Sequence, residues 1–352
     1  MTDLLELEDL RVSAGPNEIV RGVDLSVPAG QTVAVVGESG SGKSLTMLSV
    51  MGLLSPPLRV SGGHVRLAGR ELTGLHEHQL RELRGSEVAM IYQDPMTSLN
   101  PLMRVGDQVM EAMTSHGVAK PQARERMLDL LARVGIPDPR RTSRAYPHEF
   151  SGGMRQRVMI ASALAMRPKL LIADEPTTAL DVTIQQQILA LVDELRRELG
   201  MTTIWVTHDL GVVARLVDRV VVMYAGHVVE DAPVRQAFAA PQHPYTARLL
   251  ASLPDPSSDG RGRLATIPGR PPTSTETIVG CPFQPRCPQA RDICKIRPEL
   301  LPRTVALPDP GAHAARPAAA AGGQPATGAA VAVAAPESPT RVACHVPPAE
   351  WR

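Results

Sequence analysis

The sequence has almost no net charge. Its 37 lysine and arginine residues nearly cancel its 36 aspartate and glutamate residues, so nothing draws it electrostatically to nucleic acid or to an acidic membrane surface. A partner must therefore be recognised by local features. With 352 residues, 43% of them hydrophobic, the chain is long enough for two or more domains with a sizeable core.

Targeting and membrane-spanning signals are also missing. Four acidic residues stand among the first ten, where a secretory signal needs basic residues followed by an apolar run. The only long uncharged stretch, residues 317–335, is rich in alanine, glycine and proline, which makes it a poor membrane span. We expect a cytoplasmic protein that reaches a membrane only through a protein partner.

Aromatic residues and cysteine are absent from long parts of the chain. No Phe, Tyr or Trp precedes Tyr92, and no cysteine precedes Cys281. Four cysteines then follow in the C-terminal part, at Cys281, Cys287, Cys294 and Cys344. Because a cytosolic location disfavours structural disulfides, this grouping indicates metal ligation. The first three are separated by five and six residues, which is looser than the Cys-x2-Cys pairs of common zinc sites.

What the sequence does contain is a series of short apolar runs that suit buried parallel strands. They cover residues 32–36, 88–92, 170–174, 202–207 and 220–224, with helical patterns between several of them. This alternation predicts an α/β fold. Between the second and third runs, residues 105–114 and 121–134 have helical spacing and no comparable strand, which indicates an inserted helical subdomain.

A phosphate-binding motif follows the first run. Residues 37–44 match G-x-x-x-x-G-K-S, the Walker A motif, between a strand pattern and a helical pattern. Backbone N–H groups of this turn are expected to hold the β-phosphate of ATP, Lys43 to neutralise the β- and γ-oxygens, and Ser44 to bind Mg²⁺. The candidate nucleotide ligands are Gly37, Ser39, Gly40, Ser41, Gly42, Lys43 and Ser44.

A buried-strand pattern ends in the two acids Asp174 and Glu175. Burying carboxylates is costly unless a cation or a reaction uses them. A second anion-binding pattern lies at residues 150–157. There the hydroxyl of Ser151 and the backbone N–H groups of two glycines, Gly152 and Gly153, precede a helical stretch. Since Walker A already supplies one phosphate cradle, the second cradle predicts a second phosphate-bearing partner.

Together these motifs resemble those of ATP-binding cassette (ABC) transporter ATPases, over about residues 4–250 and in the family's order. The resemblance implies a P-loop, RecA-like core with an inserted α-helical subdomain. Asp174 is expected to help Ser44 hold Mg²⁺, and so is Gln93, which by this resemblance belongs to the Q-loop. Glu175 is expected to act as general base and His208 to contact the γ-phosphate, with Lys43 completing the catalytic set.

In this family the signature motif of one subunit closes over nucleotide that the other subunit holds. The residues expected to act in trans are Ser151, Gly152, Gly153, Met154 and Asp181. Residues 179–181 resemble the D-loop, although Asp181 also suits the N-cap of the next helix, and both roles can hold together. The partner is either an identical copy or a related ATPase, so the chain is expected to work as a homodimer or heterodimer.

Residues 94–101, 150–157 and 243–250 resemble the ATPase subunits of dipeptide and oligopeptide importers, a group that includes nickel importers. This implies a peripheral subunit at the cytoplasmic face of the cell membrane, with two transmembrane permeases and, through the complex, an extracellular solute-binding protein. The alternatives are import of nickel or another small solute, and a soluble ABC ATPase of DNA repair or translation. The latter typically carries coiled coils or two cassettes, and neither is visible in the sequence.

We expect three parts: a core of residues 1–93 and 168–250, a helical subdomain of residues 94–167, and a C-terminal extension of residues 251–352. Proline, serine and glycine mark a linker at the start of the extension. Within the extension, residues of about 304–340 are dominated by alanine, proline and glycine, which cannot bury enough apolar surface to fold. A mobile loop is therefore predicted there.

Peptide-importer ATPases share a cysteine-rich C-terminal motif that in some members resembles the ligand set of a [4Fe-4S] cluster. By this resemblance Cys281, Cys287, Cys294 and Cys344 are expected to bind such a cluster, with zinc or unligated thiols as the alternatives. A cluster would link Cys344 to the other three cysteines across the predicted loop. That link would stabilise a region that has little core of its own.

One departure from the family concerns adenine. Its usual aromatic stacking position falls at or near Ala14, and no aromatic residue precedes Tyr92, so stacking worth ~1 to 3 kcal/mol per base cannot come from this region. Val20 offers only an apolar contact. We predict weaker ATP affinity or poor discrimination between ATP and GTP. Competition of both nucleotides against labelled ATP measures this: equal competition supports the prediction, and strong selectivity for ATP contradicts it.

Overall fold

The computed structural model describes residues 3–177, 181–253, 266–305 and 339–351. The strands are β1 (Asp3–Ala14), β2 (Asn17–Pro28), β3 (Thr32–Val36), β4 (Leu58–Leu67), β5 (Arg70–Glu71), β6 (Val88–Ile91), β7 (Leu170–Asp174), β8 (Thr202–Thr207), β9 (Arg219–Tyr224), β10 (His227–Pro233), β11 (Leu301–Pro302) and β12 (Arg341–Val342). The α-helices are α1 (Lys43–Met51), α2 (Glu77–Leu83), α3 (Pro95–Ser98), α4 (Val105–Thr114), α5 (Lys120–Arg133), α6 (Pro139–Thr142), α7 (Gly152–Leu164), α8 (Val182–Leu199), α9 (Leu210–Leu216), α10 (Val234–Ala239) and α11 (Pro244–Ala251). In these ranges, no helix has both the length and the apolarity that crossing a bilayer requires.

The larger sheet carries the predicted α/β core. Its strand order is β11-β12-β10-β9-β3-β8-β7-β6, and the five strands from β9 to β6 run parallel. They are the five apolar runs of the sequence, with ends that shift by at most one residue. Every residue of β3 is buried, as expected for a strand covered on both faces. The predicted α/β class is confirmed.

A second sheet was not predicted. It is antiparallel, with the order β2-β1-β4-β5. The register between β1 and its neighbours shifts at several places, so strict alternation of apolar and polar residues is lost. Gly63 lies at one such irregularity with φ +80, and a Cβ there would lie 2.2 Å from the carbonyl oxygen of Asp9. The strands approach each other closely because this position has no side chain.

The inserted segment between β6 and β7 is helical, as predicted. Helix α4 has the predicted bounds, and α5 begins one residue earlier than predicted, with proline in its first turn. Proline suits this position because the N–H that it lacks would have no helical partner. The apolar faces of α4, α5 and α7 share one buried cluster with the main sheet. This packing fixes the direction in which the N-terminus of α7 points.

The described parts of the C-terminal region are attached to the core. β12 pairs with β10, and Cys281, Phe283 and Cys294 belong to the same buried apolar cluster as the main sheet. The predicted linker falls largely on residues 254–265 and the predicted mobile loop on residues 306–338, and both lie outside the described residues.

Candidate active site

The predicted catalytic residues meet at one edge of the main sheet. Walker A follows β3, the two acids stand at the end of β7, Gln93 follows β6, and His208 follows β8. All four strands are parallel, so their carboxyl ends lie together, which is where ligands bind in open α/β sheets. A cavity of about 770 Å³ opens there, large enough for a small-molecule ligand.

The Walker A turn requires glycine at its first position. Gly37 has φ 152, and a Cβ there would lie 2.2 Å from the carbonyl oxygen of Met223. Helix α1 begins at Lys43, immediately after Gly42 in the left-handed region. Three glycines with positive φ therefore curl the chain so that its N–H groups and the positive end of α1 serve as an anion cradle.

Lys43 is a buried cation. It is 5% exposed, and its Nζ donates to the carbonyl oxygens of Gly37 at 2.8 Å and Glu38 at 3.0 Å. Desolvation lowers the pKa of Lys43, while the nearby carboxylates of Glu175, Asp174 and Glu38 oppose that shift. The ammonium group is thus held inside the turn where the β- and γ-phosphates of ATP are expected.

Ser44 and Asp174, two of the expected Mg²⁺ ligands, lie side by side. Ser44 Oγ donates to Asp174 Oδ1 at 2.9 Å. Burial raises the pKa of Asp174, and the hydrogen bond from Ser44 works against that rise. A hydroxyl and a carboxylate oxygen are donors that Mg²⁺ prefers. These residues fit the ion, which when bound would offset the negative charge of the phosphate oxygens.

Glu175 connects the remaining predicted residues. Gln93 Nε2 donates to Glu175 Oε2 at 3.1 Å, and His208 Nδ1 lies 3.1 Å from Glu175 Oε1. The main chain of Glu175 has φ 44, an unusual value for a residue with a side chain, and its N–H donates to the carbonyl oxygen of Val206 at 2.8 Å. Strained conformations of this kind cluster at functional sites, and here one keeps the carboxylate at the cavity.

The cavity is lined by eight of the predicted residues: Ser39, Gly40, Gly42, Lys43, Ser44, Gln93, Glu175 and His208. Sequence reasoning missed Ile19 and the segment of Pro272, Thr273 and Ser274, which line it too. The apolar contact expected from Val20 was assigned to the wrong residue, because Val20 is fully buried in the core. Alternation along β2 leaves Ile19 toward the cavity.

The residues expected to act in trans lie elsewhere. Ser151 is the N-cap of α7, and its Oγ accepts a hydrogen bond from the Met154 N–H at 3.4 Å. Gly152 and Gly153 form the first turn, and none of these residues lines the cavity of their own chain. Asp181 occupies the N-cap position of α8 without a side-chain capping bond. The rest of the expected D-loop, residues 179 and 180, is outside the described residues.

The four cysteines come together at a different place. Cys281, Cys287, Cys294 and Cys344 all line one small cavity beside the start of α11. Burial raises the pKa of Cys281 to about 12 and that of Cys287 to about 11. Within the described ranges, no three or more His, Cys, Asp or Glu side chains are already grouped tightly enough to hold one metal ion.

Comparisons with known proteins agree with this geometry. Residues 20–178 match the family model described as ABC transporter, and residues 229–294 match the model of the oligopeptide/dipeptide transporter C-terminal region. The chain is 51% identical over 302 residues to the oligopeptide transport ATP-binding protein OppD of Salmonella typhimurium, covering 84% of this chain and 90% of that protein. The chain belongs to the ATP-binding subunits of oligopeptide/dipeptide ABC transporters.

Other relatives of this ABC ATPase support the same assignment. It is 48% identical over 303 residues to the dipeptide transport ATP-binding protein DppD of Haemophilus influenzae, covering 84% of this chain and 92% of that protein. Among solved structures, the dimeric post-hydrolysis state of the ATP-binding cassette MJ0796 bound to ADP and Pi superposes with a TM-score of 0.58 at 29% identity. That match covers 66% of this chain and 99% of the cassette.

An ABC ATPase hydrolyses ATP, and the contacts at the cavity fit the roles that the sequence predicts for its residues. Gln93 and His208 hold the carboxylate of Glu175 at the cavity, where a general base for the attacking water is expected. Lys43 and the backbone N–H groups of the Walker A turn stand where charge on the phosphates is expected to be offset as the bond to ADP breaks. The products are ADP and phosphate.

Replacing Glu175 with glutamine tests the predicted general base. Glu175→Gln should lower ATP turnover at least about 100-fold, because an amide cannot accept the proton, while ATP binding is retained. Phosphate release and equilibrium binding of a fluorescent ATP analogue measure the two effects. Glu194→Gln, an exposed change on α8, is the matched control and should turn over ATP like the unmodified protein. Undiminished hydrolysis by Glu175→Gln would place the base elsewhere.

Proposed function

We propose that this ATPase drives the uptake of di- or oligopeptides through two transmembrane permeases at the cytoplasmic face of the membrane. The carrying observation is the match of residues 229–294 to the oligopeptide/dipeptide transporter C-terminal region, in addition to the ABC match. Relatives about 50% identical over most of the chain are named for oligopeptide or dipeptide transport. A solute-binding protein outside the membrane would deliver the peptide to the permeases.

Two ATPase subunits are proposed to sandwich ATP between them. The nucleotide cavity of the same chain is not lined by Ser151, Gly152, Gly153 or Met154. These residues form the N-cap and the first turn of a 13-residue helix, whose N-terminus suits an anion. A similar cassette was solved as a dimer with ADP and Pi. In our proposal, Ser151 and Gly153 of each subunit bind the γ-phosphate held by the other, and Asp181 crosses the interface beside them.

The segment of residues 92–102, which we call the Gln93 loop, is the proposed permease contact. Three large apolar side chains are exposed in and around it: Tyr92 at 37%, Met96 at 62% and Leu102 at 86%. Apolar side chains concentrated in this way often mark an interaction surface. Gln93 itself contacts Glu175, so movement of a permease against this loop would reach the catalytic base directly.

Reconstitution with permeases tests the proposed transport role. We expect the chain to co-purify with two permeases and its ATPase activity to rise several-fold when peptide-loaded binding protein is added, since solute binding drives the switch. Leu102→Asp should abolish permease capture and leave basal nucleotide binding intact. Val279→Asp changes a side chain that is also exposed, at 75%, but lies in the C-terminal region, and it should leave capture unchanged. Stimulation by nickel but not peptide would favour the nickel alternative, and failure to capture any permease would contradict the transport role.

For the cysteines we propose a [4Fe-4S] cluster. Four thiols line one cavity together with the imidazoles of His243 and His345, and no carboxylate lines it with them, so the available donors are soft sulfurs and ring nitrogens. Among the described residues no group of three or more His, Cys, Asp or Glu is placed to hold a metal ion, so the proposal rests on the four thiols that line one cavity. In a [4Fe-4S] cluster each thiolate binds a different iron atom, which spreads the ligands farther apart than around a single zinc ion. A bound cluster would require all four thiols to release their protons.

Spectroscopy of the anaerobically purified full chain tests this proposal. A cluster should give an absorption band at about 400 nm that Cys344→Ser weakens or removes, because one ligand is lost. Iron and zinc content are measured on the same sample. Stoichiometric zinc without that band would establish the zinc alternative, and four titratable thiols without any metal would establish the unligated one. Either result contradicts the cluster.

A further inference from the structure

An ion pair joins the C-terminal region to the Walker A turn. Arg286 lies between Cys281 and Cys287, and it contacts Glu38, the second residue of Walker A. Arg286 Nη1 donates to Glu38 Oε2 at 2.7 Å, and Nη2 donates to Oε1 at 3.0 Å. The two side chains are 4% and 26% exposed. A bidentate pair of this geometry, shielded from water, is both stronger and more directional than a surface ion pair.

Arg286 is held rigidly. Besides Glu38, its guanidinium donates to the carbonyl oxygen of Pro268 at 2.9 Å, to that of Ile267 at 3.2 Å and to the Tyr224 hydroxyl at 3.2 Å. The guanidinium carbon also lies 5.8 Å from the centre of the Tyr224 ring. These contacts fix the planar group before it meets Glu38, so little side-chain entropy remains to be lost in the ion pair.

The main chain of Glu38 is anchored as well. Its N–H donates to the Tyr245 hydroxyl at 2.8 Å, and its carbonyl oxygen accepts from Lys43 Nζ at 3.0 Å. Tyr245 is fully buried in α11, and its ring packs against Tyr224 and Phe283 with centroids 4.6 Å and 5.3 Å apart. Side chains from β9, α11 and the cysteine region therefore meet at one residue of the phosphate cradle.

From these contacts we infer that Arg286 is a positioning residue for ATP binding, acting through Glu38. Glu38 is an acid placed in a turn that must receive a polyphosphate, and its charge also acts on Lys43. Arg286 turns that carboxylate toward the C-terminal region and neutralises it. Without Arg286, the carboxylate is free to compete with phosphate for Lys43 and to repel the nucleotide, and Glu38 keeps only Tyr245 of the two side chains that hold it.

The same region offers a matched ion pair that lacks this connection. Arg291 lies between Cys287 and Cys294, and its Nη1 donates to Glu350 Oε2 at 2.7 Å. Both side chains are exposed, at 41% and 53%, and neither lines the nucleotide cavity. Arg291→Gln therefore removes an arginine and an ion pair from the cysteine region without touching Walker A.

The experiment is a double-mutant cycle on the full chain, read out by ATP affinity, KM and kcat. Arg286→Gln should weaken ATP binding about tenfold. KM should rise more than kcat falls, because the substitution disturbs the Walker A turn that binds ATP and not the residues that contact the attacking water. Glu38→Gln, which removes the repelling charge together with the pair, should cost less. In the Glu38→Gln background Arg286→Gln should add little, and Arg291→Gln should behave like the unmodified protein.

Arg286→Lys keeps the charge but not the bidentate geometry, so it should recover part of the affinity. Arg286→Lys also replaces Arg286→Gln as the test variant if the glutamine variant fails to fold, which thermal unfolding without nucleotide would detect. Three results would overturn the inference: unchanged affinity in both Arg286 variants, the same loss for Arg286→Gln with and without Glu38, or an equal loss in Arg291→Gln. None of these outcomes depends on which solute is transported.

Discussion

The active site depends on burying charge at the carboxyl edge of the parallel sheet without leaving it uncompensated. Lys43 is almost fully buried on two backbone carbonyl groups, and Asp174 is buried against Ser44. Burying an unpaired charge costs much free energy, so Lys43 and Asp174 are each held by a partner that a bound ligand can replace. ATP and Mg²⁺ offer oxygen atoms and charges of the right sign for that exchange.

This constraint explains why the turn needs anchors from distant parts of the chain. The carbonyl groups that hold Lys43 belong to Gly37 and Glu38, so the position of the lysine is only as fixed as the turn itself. Gly37 is held against β9 by its close approach to Met223. Glu38 is held by Tyr245 and Arg286. The C-terminal region is thereby built into the wall of the nucleotide site, and Pro272, Thr273 and Ser274 extend that wall.

The sequence predicted the features that local pattern determines. The five core strands are short apolar runs, and the Walker A turn, the two acids and His208 stand directly at their ends. The antiparallel sheet was missed because register shifts and Gly63 break the alternation in β1 and β4. The contact of Arg286 with Glu38 spans 248 residues and follows no sequence period, so only the folded chain reveals it. Residues 243–250 stood out only by their resemblance to importer subunits, and the contact of Tyr245 with Glu38 needed the fold.

An experimental structure of the chain with a non-hydrolysable ATP analogue and Mg²⁺ would test the central claim most directly. Our account predicts that Lys43 Nζ leaves the carbonyl groups of Gly37 and Glu38 for phosphate oxygens, with Ser44 and Asp174 at the metal ion. Glu38 should still be paired with Arg286. A bound nucleotide with Arg286 turned away from Glu38, and with the Walker A turn unchanged, would contradict the claim that the C-terminal region holds the phosphate cradle in place.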